Sequence, residues 1–188
     1  WWLSNFISAL CYVNENNNNE DDIIMVNIQP QDWLKIRNVI ADAQRAAMHC
    51  SISTITPNGF PTSSPIGTLF LDEHQLSGFF FDRYCTSLEQ NLPYSSKACI
   101  QAVNSSRSFW LKSLVKGQFS NYPGVRLYAE ISELRPATEA ELDLVNRRIK
   151  PLKWTKGSRQ IWSDFSHVRD FQVQGFKWVE YPQMMPNT

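Results

Sequence analysis

At 188 residues, 43% of them apolar, the chain is long enough to bury the core of one ordinary domain. Eighteen Lys and Arg balance eighteen Asp and Glu, so the molecule lacks the net positive field that draws proteins to phosphate backbones, and nucleic acid is not expected as a partner. The four cysteines (Cys11, Cys50, Cys85, Cys99) form no C-x-x-C pair and the three histidines (His49, His74, His167) are scattered, which argues against a zinc site and predicts free thiols in a reducing cytoplasm.

The first element, WWLSNFISALCYV, is apolar but only 13 residues long, short of the ~20 a membrane-spanning helix needs, and it lacks the basic flank of a signal peptide. The polar run NENNNNEDD that follows cannot bury enough surface to offset its ordering entropy. Residues 1–24 are therefore expected to form a disordered or extraneous tail, with residues 25–188 as a single domain. The alternative for the tail, a surface-lying membrane anchor, is disfavoured because its polar face carries no Lys or Arg.

From Pro30 the pattern turns helical, with Trp33, Ile36, Ile40, Ala43 and Ala47 on one face and proline suited to the first turn. Three β-rich runs follow: HCSISTIT up to the turn Pro57-Asn58-Gly59, PTSSPIGTLFL up to Asp72-Glu73-His74, and QLSGFFF. Short connections predict an antiparallel meander. LEQNL reads as a short helix, and KACIQAVN as a strand alternating Ala98, Ile100, Ala102 against Cys99, Gln101, Val103. The period of SRSFWLKSLVKGQF is ambiguous between helix and strand. GVRLYAEISEL alternates cleanly, with Val125, Leu127, Ala129 and Ile131 on one face and Arg126, Tyr128, Glu130 and Ser132 on the other. Thr138 and Glu141 form a capping box before Leu142, Val145 and Ile149. In RDFQVQGFKWVEY the apolar phase changes across Gly175, predicting a bulge. Six short antiparallel strands with helices at their ends and edges fit a small, nearly closed β-barrel, a mainly β (α+β) fold.

The order of parts in TPNGFPTSSPIGTLFLDEHQLSGFFFDRYCTSLEQNL resembles the FMN-binding split-barrel family typified by pyridoxamine 5'-phosphate oxidase. That resemblance covers roughly residues 30–182. It implies a six-stranded antiparallel split β-barrel and a homodimer holding FMN at the subunit interface. It further implies an isoalloxazine lying along Ser63, Ser64, Pro65 and Ile66. The phosphate would lie near the strand end and helix start, held by residues from Phe81 to Asn91: Phe81, Asp82, Arg83, Thr86 and Asn91. A helix start offers unpaired N–H groups to an anion, Thr86 a hydroxyl, and Arg83 a two-pronged cation. Where the family motif has a phosphate-binding lysine this chain has Leu88, so Arg83 is the expected substitute.

A second source of cations is NRRIKPLKWTKGSR, with six basic residues around Trp154; a solvated helix end is the simpler reading and an anion site the functional one. Trp162 and Arg169 stand where the oxidase has its substrate-binding signature, but the R-L-H-D-R string is absent, which argues against pyridoxamine phosphate as substrate. Trp110, Trp162 and Trp178 are expected in core or interface. No Ser-His-Asp set can be assembled, and a bound flavin would itself carry the difficult chemistry, so no catalytic residue is assigned. The leading expectation is an FMN-dependent oxidoreductase, cytoplasmic, acting on a small-molecule substrate or electron donor, without nucleic acid or membrane. The rivals are a haem-binding relative using His167 or His49 as axial ligand, and a cofactor-free dimeric binding protein.

Overall fold

The computed structural model describes residues 28–83, 85–157 and 165–185; the tail expected at 1–24, and Trp162, lie outside them. Helix α1 (Pro30–Ala47) begins with Pro30 in its first turn and Asp32 there to meet the positive dipole end. It stops where Met48 takes a left-handed φ of 62° and its N–H reaches the Gln44 carbonyl. The expected stripe is buried through Trp33, Ile36, Val39, Ile40 and Ala43.

Seven strands, one more than expected, form a single antiparallel sheet: β1 (Cys50–Ile55), β2 (Pro61–Ile66), β3 (Leu69–Leu71), β4 (Ser77–Phe81), β5 (Lys97–Val103), β6 (Gly124–Pro136) and β7 (His167–Val179), in the order β2-β1-β5-β6-β7-β4-β3. The extra strand arises because Thr62 to Leu71 is not continuous. Its first half pairs with β1, its second half with β4, and it breaks at Gly67-Thr68. These halves sit at opposite edges of the sheet, yet Ile66 and Leu69 are three residues apart, at most about 11 Å. The sheet must therefore curl until its edges meet. Thr68 fastens that corner: its buried hydroxyl accepts from the Phe81 N–H (3.2 Å) and donates to the Phe81 carbonyl (3.4 Å).

The first hairpin turns as predicted, with Gly59 at φ 82° and its N–H on the Thr56 carbonyl. In the second, the Asp72 carboxylate accepts from the N–H groups of His74 and Gln75. The bulge in β7 is present: Tyr128 pairs with Gly175 and Ala129 with Val173, leaving Gln174 as the extra residue.

Among the described residues the other α-helices are α2 (Thr86–Asn91), α3 (Arg107–Lys116) and α4 (Glu139–Ile149), the last continued by a 3-10 turn (Lys150–Leu152). The ambiguous segment is thus a helix. It ends in a Schellman-type stop, with Gly117 at φ 66° and N–H groups of Gly117 and Gln118 on the Leu114 and Ser113 carbonyls. The predicted capping box opens α4, Thr138 and Glu141 bonding reciprocally.

The main core joins α1 to the inner face of the sheet through Ile52, Ile66, Phe80, Ile100, Leu127 and Phe171. A second cluster, Phe81, Val145, Ile149 and Val168, seats α4 at the other side of β4 and β7. Arg135, at the end of β6, ties this corner with paired bonds to Glu141 (2.7 and 3.0 Å) and Asp170 (2.6 Å each).

Candidate functional site

The period-two alternation of a strand gives the sheet two unlike faces. The inner face is apolar and carries α1. The outer face of β2, β1, β5 and β6 presents Pro61, Ser63, Pro65, Ser53, Ile55, Lys97, Cys99, Arg126, Tyr128 and Glu130, all of them exposed or half-buried. Ile55 remains 45% exposed. On this face lies a groove of about 490 Å³ lined by Ile55, Lys97, Cys99, Tyr128, Glu130 and Gln174, among others. Its floor is the seam where β1, β5 and β6 run side by side, and the β7 bulge closes one flank by turning Gln174 into it. A volume of this size lies within the ~300–1,000 Å³ of ordinary small-molecule sites. Burial raises the Cys99 thiol above its ordinary range, partly offset by the Arg126 guanidinium.

The residues expected to hold a cofactor are distributed unevenly over this geometry. Ser63 and Pro65 do face outward and are exposed, opposite Ser53 and Ser51 in the ladder. Ser64 and Ile66 point to the other face, Ile66 fully into the core. Phe81 does not face a ligand: its side chain is 4% exposed and packs on Phe165 (ring centroids 4.9 Å apart), while its backbone is engaged by Thr68. Asn91 is 3% exposed and is also structural, donating to the Thr54 (3.0 Å) and Thr62 (2.8 Å) hydroxyls and so fastening α2 to the first hairpin.

Asp82 and Arg169, expected on separate parts of the site, meet each other instead. Their side chains are 7% and 9% exposed and form a charge-assisted pair that joins the end of β4 to β7. Arg83 is half-buried in the bend after β4, and Thr86 is exposed in the first turn of α2. That helix has six residues, and its N-cap Cys85 makes no side-chain cap bond. Burial and the neighbouring Asp82 carboxylate push the Cys85 thiol up to about 11. Leu88, where the sequence resemblance implied a phosphate-binding lysine, is fully buried in the main core, so this position faces the interior and not an anion.

Sequence reasoning missed the groove residues Ser53, Ile55, Lys97, Cys99, Tyr128 and Glu130. Alternation alone already set Cys99 apart from Ala98 and Tyr128 apart from Leu127. What it lacked was the strand order that places β1 beside β5 and β5 beside β6. His49 and His167, the expected haem ligands, are exposed, bond respectively to the Ala47 carbonyl and the Ser166 hydroxyl, and do not line the groove. Within the basic run, Arg148 donates to the Leu69 carbonyl and to Gln44, and it lies over the Phe70 ring (4.7 Å). It therefore serves to anchor α4.

No protein-family model and no curated protein sequence matches the chain. Its fold does match solved structures. An FMN-binding protein from Syntrophomonas wolfei subsp. wolfei superposes with a TM-score of 0.52 at 14% identity, over 80% of this chain and 94% of that one. HupZ of Group A Streptococcus superposes with a TM-score of 0.50 at 11% identity, over 78% and 92%. A protein related to general stress protein 26, of the pyridoxinephosphate oxidase family, from Clostridium acetobutylicum gives 0.48 at 14%, over 82% and 92%. The chain has the split-barrel fold that the sequence resemblance implied: a mainly antiparallel curled sheet with flanking helices.

Proposed function

We propose that this protein is an FMN-binding flavoprotein whose isoalloxazine lies on the outer face of the sheet, in the groove between β1, β5 and β6. The observation that carries the reading is this groove: about 490 Å³, open, and edged by Ile55, Cys99 and Tyr128 for stacking and by Lys97 and Gln174 for polar contact. That the fold is shared with an FMN-binding protein supports the same choice. When bound, the flavin would supply hydride or electron transfer, so this chain's own part is to bind, orient and shield it.

With Leu88 in the core and Arg169 engaged by Asp82, the cation at the groove for the FMN phosphate is Lys97. The exposed outer face, continuous with Ser63 and Pro65 of edge strand β2, is where a second subunit would complete the site. Two prolines on that edge, Pro61 and Pro65, remove N–H donors, so a partner would cover the face and not extend the sheet.

Purified protein given FMN is expected to quench its fluorescence and shift the near-ultraviolet and blue flavin bands. Lys97→Ala is expected to weaken FMN by about tenfold or more, the loss of one charged hydrogen bond, and riboflavin much less. Absence of any flavin binding would leave a cofactor-free binding protein, and equal weakening of both flavins would remove Lys97 from the phosphate.

A further inference from the structure

Helix α3 presents an apolar face left exposed among the described residues. Its buried side is Phe109, Trp110 and Ser113: Phe109 stacks on Phe119 (5.6 Å), Trp110 meets Tyr181 edge-on (5.5 Å), and the Trp110 indole donates to the Asn104 carbonyl (2.7 Å). On the opposite side Leu111 is 64% exposed, Leu114 58% and Val115 80%. These three sit at the i, i+3, i+4 spacing that makes a single stripe. Arg107 stands in line with the stripe one turn earlier, and Lys112 and Lys116 lie along one side of it, all exposed; the whole stretch from Ser105 to Gly124 contains no Asp or Glu. The nearest acid in the segment packed against the helix is Glu180, beside Tyr181.

We infer that α3 is a membrane-surface helix, docking the protein onto anionic phospholipid with Leu111, Leu114 and Val115 in the acyl boundary and the three cations at the headgroups. Charge decides among the occupants. A second copy meeting this face by two-fold symmetry would bring Arg107, Lys112 and Lys116 against their own counterparts, with no intervening acid on the helix. No described helix is long and apolar enough to cross a membrane, so the contact would be peripheral and salt-sensitive.

The test is co-sedimentation of the full chain with vesicles of phosphatidylcholine alone or mixed with phosphatidylserine. Binding should require phosphatidylserine and fall on raising salt. Leu111→Glu and Val115→Glu should each lower the bound fraction several-fold, as should Lys112→Ala with Lys116→Ala, while far-ultraviolet circular dichroism and the melting temperature stay unchanged because these side chains are exposed. Binding that survives all these variants would overturn the inference, assigning the lipid contact to another part of the chain such as the apolar residues 1–13. No phosphatidylserine-dependent binding would overturn it, as would conversion of a dimer to a monomer by Leu111→Glu in light scattering. Capture of an acidic amphipathic peptide in place of vesicles would overturn it in favour of a protein partner.

Discussion

Arg169 and Asp82 neutralise each other in a space where neither meets much water, and that fixes what each can do. Removing the guanidinium leaves a carboxylate 7% exposed without its counter-charge, a loss of about 3–5 kcal/mol. Arg169→Ala is therefore expected to lower the melting temperature by roughly 6–20 °C for a domain of this size. The apolar double variant Asp82→Leu with Arg169→Met should recover most of it. If Arg169 instead served chiefly to hold a phosphate, thermal melts would barely move and FMN affinity would fall. A second carboxylate governs the acid limit. Arg135 and the Thr138 cap hold Glu141 down to about 2, against an ordinary 4.5. The unfolded chain thus binds the extra proton first, so this stability is fully present above about pH 4.5 and is lost as pH falls toward 2. Asp72 is lowered too, by the N–H groups of His74 and Gln75, and adds to the same limb. Glu141→Gln should flatten the acid branch of a melting-temperature profile and lower the melting temperature at neutral pH, chiefly through the lost charge of the Arg135 pair.

Helix α2 is fixed to the sheet by its own inward-facing side chains. Leu88 sits at 0% exposure among the main core residues, and Asn91 bonds inward to two threonines. Leu88→Lys is therefore expected to destabilise by more than about 3 kcal/mol without strengthening FMN, as melting and flavin titration together would report. Most elements were legible because local chemistry decided them. The stripe from Trp33 to Ala43, the Thr138–Glu141 box and the Gly175 bulge each needed only neighbours in sequence. Helix α3 was not legible, because Phe109 and Trp110 on one side and Leu111, Leu114 and Val115 on the other leave no single apolar stripe for its period to show. The roles of Asp82, Asn91 and Arg169 were also hidden, since their partners lie 87 and 37 residues away. Polar side chains beside a strand end look alike whether they face a ligand or each other.

At the scale of the whole molecule, one sheet supplies the inner face for the α1 core, the outer face for the groove, and two free edges. Those edges, β2 and β3, are not hydrogen-bonded to each other among the described pairings. They are held together by the chain itself at Gly67-Thr68. A glycine- and serine-rich insertion of about ten residues there costs little loop entropy in itself, but it releases the edges from their enforced meeting. The expected outcome is a monomer that keeps most of its circular dichroism and loses cooperativity in denaturant; an unchanged transition would show that the core alone closes the barrel. The same link bears on the one edge that lacks prolines: with β2 blunted by Pro61 and Pro65, holding β3 against it keeps the short β3 edge from other copies.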